Sequence, residues 1–296
     1  VALLSLIAAV LHLGIYWAAA GWIFGKVKAC GNGLAIFPFL IVSMEWIRSF
    51  GALGFPWGNM ALTQLDFLNM IQIMEITGTY GVTLWVILIN VILYILIQNF
   101  EFNKKLGYIL GILLFIIWLS GNSRKKEFND SFTNMDVAVL QPNIDPNAKC
   151  EYKKREKTIT YMDSLHNIAI NLNPDLILFP ETALPAYLRL DHHVRSQIQS
   201  KVDSSGIPVL TGTVDRTKSP EGKKEYFNSS MFLTPNRKYI LYNKLHLVPF
   251  AEYIPLSDQF PSLKMLNFGQ GNFTHGSEYT VFEWKDIKFS NLICYE

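Results

Sequence analysis

Tyr242-Asn243-Lys244-Leu245-His246-Leu247-Val248-Pro249-Phe250-Ala251-Glu252-Tyr253-Ile254-Pro255 sets a lysine, a histidine and a glutamate into a run that is otherwise apolar and fixed by prolines. A solvated charge run would not be so hydrophobic. Two other segments carry reactive groups in similar surroundings. In Phe179-Pro180-Glu181-Thr182 a carboxylate follows the apolar run Asp175 to Phe179. A rigid proline holds it at the C-terminal edge of a predicted strand, a place for a general base or for a helix-capping acid. In Leu292-Ile293-Cys294-Tyr295-Glu296 an apolar, strand-like run delivers a thiol beside two polar residues. Such a cysteine is either a buried structural residue or a nucleophile exposed by the turn that follows. Base, ammonium and thiol together supply what a cysteine nucleophile needs: a group to take the proton and a cation to stabilise thiolate and oxyanion.

Around these segments short apolar runs alternate with polar helical ones. Met135 to Leu140, Asp175 to Phe179 and Ile207 to Gly212 read as strands. Lys153 to Leu172, with Ile159, Met162, Leu165, Ile168 and Ile170 near helical spacing, and Val194 to Val202 read as helices. Tyr226 to Leu233 pairs with Lys238 to Tyr242 around Thr234-Pro235-Asn236, and Tyr279 to Trp284 pairs with Ile287 to Ile293 around Lys285-Asp286. Strands alternating with helices and then hairpins predict a mixed-sheet α/β domain.

The first part of the chain is built differently. Of the 50 charged residues only nine precede Ser120, although the whole chain of 296 residues has a mean hydropathy of only +0.20. Four apolar stretches lie there: Val1 to Phe24, Leu34 to Trp46 running on to Phe50, Ile71 to Ile97, and Leu106 to Leu119. The first and third are long enough to span about 30 Å of hydrocarbon; the second and fourth are short. Lys26 and Lys28, and again Lys104 and Lys105, fall in loops on one side, which the positive-inside bias makes cytoplasmic. The loop Gly51 to Asn69 and everything after Asn122 then face outward. Arg124-Lys125-Lys126 lies on the other side, where a long translocated domain escapes the rule. Glu45, Trp46 and Arg48 at the outer end of the second stretch are a functional cluster or an interfacial anchor with Arg48 snorkelling. Gly54-Phe55-Pro56-Trp57-Gly58 is a rigid aromatic turn at the outer surface or a simple interfacial loop.

A net charge of +2 without a basic run interleaved with aromatics sets nucleic acid aside. Three cysteines, Cys30, Cys150 and Cys294, form neither a disulfide framework nor a zinc site. Val1 opens inside an apolar run with no basic segment before it, so the chain reads as a fragment that begins in or just before a membrane helix.

The order Pro180-Glu181, then Lys244 in Tyr-x-Lys-x-His-Leu-Val-Pro-Phe-x-Glu-Tyr-x-Pro, then Cys294-Tyr295-Glu296 resembles the nitrilase superfamily, which uses a Glu-Lys-Cys triad. The apolar first part and Gly54 to Trp57 narrow the resemblance to the apolipoprotein N-acyltransferase family. The resemblance implies a multi-span α-helical membrane domain over residues 1–121, with about four spans. Residues 122–296 then form an α/β nitrilase-like domain, an αββα sandwich. This domain is incomplete at its C-terminus, because the family continues past Cys-Tyr-Glu with further strands, helices and a last span. It implies transfer of a fatty acyl group from a phospholipid to the N-terminal α-amino group of S-diacylglyceryl-cysteine in a lipoprotein, through a thioester. The partners are then phospholipid, diacylglyceryl-modified lipoprotein and membrane lipid, with no cofactor or metal, at a bacterial inner membrane with the catalytic domain in the periplasm. Glu181, Lys244 and Cys294 take the catalytic roles; Glu252, Tyr295, Glu296, Asn228 and Trp57 support substrate or site. A membrane-anchored nitrilase-type amidase and an inactive truncated fragment are the alternatives. Two positions depart from the pattern. Ala251 replaces a glycine, which is tolerated unless the position needs positive φ, and Cys150 stands where a lipid-holding tryptophan is usual.

Overall fold

The computed structural model describes residues 2–29, 31, 33–98, 104–131, 134–144, 155–236, 238–257, 259–262 and 272–296. The chain divides into two compact units, Val1–Phe132 and Thr133–Glu296.

The first unit is helical: α1 (Ala2–Ala29), α2 (Gly33–Arg48), a 3-10 turn (Met60–Gln64), α3 (Leu68–Ile71), α4 (Met74–Gln98) and α5 (Lys104–Ser131). Its apolar side chains point both ways. Val82, Trp85, Val86, Ile117 and Ala61 pack into one interior cluster, and Ala20, Ile41, Met44 and Ile87 into another. Ile15, Trp22, Ile112, Phe115 and Ile116 face outward and exposed. An apolar outer surface over long helices is the pattern of a membrane domain. Three helical segments, Ala9–Ala29, Met74–Gln98 and Lys104–Lys126, are long and apolar enough to cross a bilayer. The second apolar stretch yields only the 16 residues of α2, about 24 Å at 1.5 Å per residue. The fourth stretch, short as an apolar run, is part of a 28-residue helix that continues past Asn122 to Ser131. Its polar end carries Ser, Arg, Lys and Glu, and no proline interrupts it. Helix α4 breaks at Gly78 (φ 63°, ψ −172°), so its regular course begins after that residue.

The second unit is built on a five-stranded sheet, β1 (Val137–Val139), β2 (Leu176–Leu178), β3 (Val209–Lys218), β4 (Lys224–Thr234) and β5 (Lys238–Asn243), in that spatial order. Helix α6 (Arg155–Asn171) connects β1 to its parallel neighbour β2, and α7 (His192–Ser205) connects β2 to the parallel β3. Helix α7 is capped by Asp191, whose carboxylate accepts the Val194 N–H, and is ended by the left-handed Gly206. β3, β4 and β5 are antiparallel, with Val214 opposite Asn228 and Ser229 opposite Asn243. Strand β3 runs six residues beyond the expected Ile207 to Gly212. Thr213 to Lys218 alternate polar and apolar too weakly to announce a strand, and pairing with Lys224 to Ser229 holds them there.

The sheet is covered on both faces, and the alternation of side chains sorts them. Ile177, Val209, Met231 and Leu233 pack with Met162, Val194, Ile198 and Val202 of the two helices. Leu176, Leu210, Phe232 and Tyr242 pack on the opposite face with Phe282 and Ile293. A separate hairpin, β6 (Val281–Trp284) with β7 (Ile287–Ser290), supplies Phe282 and Phe289, whose rings lie 5.4 Å from that of Phe232. The α/β mixed-sheet class read from the sequence is the one observed. The apolar run at Cys294 differs in one respect: β7 ends at Ser290, and residues 291–296 form a turn rather than the end of a strand.

Candidate active site

Glu181 stands three residues beyond the end of β2, on the turn that follows it. Phe179 N–H donates to the Leu210 carbonyl (2.8 Å), and Ala183 N–H closes the turn on the Pro180 carbonyl (3.2 Å). Thr182 takes φ 48°. The neighbouring strand permits this path through Gly212. A Cβ there would stand 2.6 Å from Glu181 Cα and 2.7 Å from the Pro180 oxygen and the Thr182 nitrogen. Only glycine lets the carboxylate turn lie so close to β3.

Asn228 lies on β4, and Lys244 directly follows β5, its N–H bonded to the Asn228 carbonyl (2.8 Å). Glu252 closes a turn in which its N–H donates to the Val248 carbonyl (2.9 Å) and its Oε2 accepts the Val248 N–H (2.8 Å). In that turn Phe250 takes positive φ (63°) and Ala251 does not, so the alanine costs no strain.

These elements bring four of the expected residues together. The Asn228 amide nitrogen donates to Glu181 Oε1 at 2.7 Å and to Glu252 Oε1 at 2.8 Å. Lys244 Nζ lies 3.0 Å from each oxygen of Glu252. Lys244 is fully buried, at 0% exposure, and Asn228 is buried. Two carboxylates are thus held side by side by one amide and one ammonium. A buried ammonium needs such partners.

A second set of hydrogen bonds fixes the cysteine turn. Glu296 Oε2 accepts the Ile293 N–H (2.9 Å). Its Oε1 accepts the Tyr242 hydroxyl (2.6 Å) and the N–H groups of Leu245 (2.8 Å) and His246 (3.2 Å). Burial pushes the Glu296 carboxyl up, but these four donors outweigh it and hold the group below the usual glutamate range. Tyr242 is moved the other way, first by burial and then by the adjacent carboxylate, and stays a donor. Cys294, between Ile293 and Glu296, is an exposed free thiol at φ 51°. Tyr295 is half-buried, its hydroxyl pKa raised by burial and by Tyr253.

The two sets meet at consecutive residues. The side chain of Lys244 belongs to the first, and the N–H groups of Leu245 and His246 belong to the second. Among the described residues no hydrogen bond joins the Cys294 sulfur to Glu181 or Lys244; the link runs through the Glu296 clamp and the backbone beside Lys244. A cleft of about 1070 Å³, lined by Thr182, Tyr187, Tyr226, Tyr253, Ile254 and Leu256 among others, opens beside the residues next to Glu181 and Glu252. Trp57 belongs to the helical unit, half-exposed, its carbonyl accepting from Arg48 (3.2 Å). Cys30 and Cys150 lie outside the described residues. Gly212 and Tyr242 were not singled out from the sequence. Tyr242 sits at the head of the lysine segment, but nothing in one chain marks its hydroxyl as the partner of a residue 54 positions away.

Comparison with known proteins covers both units. A carbon-nitrogen hydrolase family model matches residues 136–296, and a model of the apolipoprotein N-acyltransferase N-terminal domain matches residues 1–92. The apolipoprotein N-acyltransferase of Geobacter metallireducens is 30% identical over 293 residues, covering 96% of this chain and 56% of that protein. That of Chlorobaculum tepidum is 29% identical over 302 residues, covering 92% and 57%. That of Rickettsia typhi is 32% identical over 266 residues, covering 88% and 52%. The chain spans about half the length of the curated relatives it matches. Among solved structures, an amidase from Nesterenkonia sp. aligns with 54% of this chain and 56% of its own at 18% identity and a TM-score of 0.37. A CN-hydrolase superfamily protein from Xanthomonas campestris aligns with 55% and 54% at 16% identity and the same TM-score.

Proposed function

The chain belongs to the carbon-nitrogen hydrolase family, and on that premise we propose that it acts in lipoprotein N-acylation, with Cys294 as nucleophile, Glu181 as general base and Lys244 as electrostatic stabiliser. The observation that carries this reading is the bonded set Glu181, Asn228, Glu252 and Lys244, joined at Leu245 and His246 to the clamp that fixes the Cys294 turn.

In the first step the Cys294 thiol gives its proton to the Glu181 carboxylate, and the sulfur attacks the ester carbonyl of a phospholipid. The oxyanion is met by the Lys244 ammonium and the Tyr295 backbone N–H. The C–O bond breaks, lysophospholipid leaves as its alcohol with the proton from Glu181, and a thioester remains on Cys294. In the second step the α-amino group of a diacylglyceryl-modified cysteine attacks the thioester. Glu181 takes the amine proton and returns it to the departing thiolate, leaving an amide. A thioester keeps the acyl group activated while one lipid is exchanged for the other. Glu252, Asn228, Tyr295 and Glu296 hold these groups in place, and Trp57 contributes a lipid contact. The enzyme resides in a bacterial inner membrane with residues 122–296 on the periplasmic side.

The test is mass spectrometry of the full-length protein after incubation with phospholipid. A fatty acyl thioester on Cys294, lost in Cys294→Ala, is the expected result. Acyl transfer that persists in Cys294→Ala, with no adduct on Cys294 in the wild type, overturns the assignment. Amide hydrolysis without acyl transfer points to a membrane-anchored amidase instead.

A further inference from the structure

Glu45 and Arg48 lie one turn apart on α2, and both are buried, at 0% and 2% exposure. Neither snorkels to a polar surface. Glu45 Oε1 accepts the Met60 N–H (2.7 Å), and its Oε2 accepts the Thr83 hydroxyl (2.7 Å). Thr83 in turn accepts the Ala61 N–H (3.2 Å). Arg48 donates through one nitrogen, Nη2, to the Asn59 side-chain oxygen (2.6 Å) and the Trp57 carbonyl (3.2 Å). The Arg48 carbonyl accepts the Phe55 N–H (2.8 Å), and Gly54 N–H closes on the Gly51 carbonyl (2.9 Å). A Cβ on Gly54 would stand 2.6 Å from the Ser49 oxygen, so the loop is drawn tightly back over the end of α2. Two ionic side chains thus fix the backbone at Trp57 and Met60 and the side chain of Asn59.

What the end of α2 and this fixed loop present is apolar. Trp46, Phe50, Leu53 and Trp57 are all exposed, with Trp46 and Phe50 edge-to-face at 4.8 Å. The loop also has a definite level along the bundle. The Tyr80 hydroxyl donates to Ser49 Oγ (3.0 Å), and Thr83 meets Glu45. Both residues lie in the first turns of α4 after its break at Gly78. The aromatic surface therefore sits at the level where a membrane-crossing helix begins its regular course. Tryptophan at such a level sits among lipid headgroups.

We propose that Glu45 and Arg48 are positioning residues that hold Phe50 to Trp57 as a fixed aromatic platform for phospholipid, without touching lipid themselves. The proposal rests on the lipid-substrate reading above only for its consequence in turnover; its test needs no turnover. In the full-length protein carrying Cys294→Ala, in phosphatidylethanolamine and phosphatidylglycerol vesicles, a benzophenone amino acid placed at position 57 is expected to crosslink to phospholipid. Arg48→Ala and Glu45→Ala are expected to lower that yield at least fivefold. Glu45→Gln, which keeps an oxygen for the Met60 N–H, is expected to restore it. The same probe at Ile112, on the outer face of α5, is expected to report equal yields in every variant. Should the charge variants fail to accumulate, Thr83→Val, which removes only the hydroxyl between Glu45 and Ala61, is expected to give the same loss. A yield at position 57 unchanged by any of these substitutions, or crosslinks to protein in place of lipid, overturns the proposal.

Discussion

Asn228 shows how much one side chain decides here. Its amide nitrogen has two N–H bonds, and each goes to a different carboxylate, Glu181 and Glu252. Two anions 2.7 and 2.8 Å from one atom repel each other, and the amide donor with Lys244 offsets that repulsion. Asn228→Asp has the same shape but replaces the donor with a third carboxylate. Thioester formation on Cys294 is expected to fall at least 100-fold, and stability by about 1–3 kcal/mol, the cost of a carboxylate left without a donor at the buried position 228. The first is read by mass spectrometry of the acyl-enzyme and the second by denaturation. A variant with wild-type rate would remove Asn228 from the proposed machinery. Residue types made Glu181, Lys244 and Cys294 legible as a carboxylate, an ammonium and a thiol in unusual surroundings. The joining role of Asn228 was not legible, because an asparagine within Tyr226-Phe227-Asn228-Ser229-Ser230 reads no differently from any polar strand residue.

Among the elements, helix α6 carries a titratable group that the chemistry does not use. His166 is 1% exposed, packs edge-to-face on Phe179 at 5.3 Å, and its Nε2 has no partner among the described residues. Burial, then the Lys201 ammonium, lowers its pKa from 6.5 to about 4, with Asp163 acting weakly the other way. The folded state therefore binds this proton more weakly than the unfolded state. The stability that the neutral ring confers is complete above pH 6.5 and is lost as pH falls from 6.5 to 4. At 1.36 kcal/mol per unit this amounts to about 3 kcal/mol. His166→Leu is expected to flatten that part of the stability curve, measured as the melting temperature of the full-length protein against pH. An unchanged acid slope would place the titration elsewhere. Phe179 directly follows the strand that leads to Glu181, so acid is expected to loosen the Glu181 turn before the rest of the sheet. The helix was readable from its apolar spacing. That His166 would lie inward on Phe179 was not, because a histidine at helical spacing suits either face.

At the scale of the whole molecule the two units place their largest apolar clusters differently. Residues 1–132 turn Ile15, Trp22, Ile112 and Phe115 outward, whereas residues 133–296 bury theirs on both faces of a sheet. In cells with a permeabilised outer membrane, and in a background without native cysteines, an impermeant maleimide is expected to label Lys223→Cys and to spare Lys104→Cys. The reverse pattern would invert the proposed orientation. Local chemistry carried a good part of this protein in its sequence. Long apolar runs without charge specify helices for lipid, because an unpaired charge or backbone group in hydrocarbon costs several kcal/mol. Alternating short runs specify a mixed α/β sheet, because side chains of a strand must face two ways. The residue types that the proposed acyl transfer needs were visible for the same reason: few side chains can act as nucleophile, base and cation. The tertiary structure alone decided which distant groups touch. It made Arg48 an internal tie rather than a surface anchor, put Gly212 under the Glu181 turn, and closed Glu296 onto Tyr242 and the backbone beside Lys244. Those contacts span 9 to 54 positions, and their partners are set by how the elements pack, which no local pattern encodes.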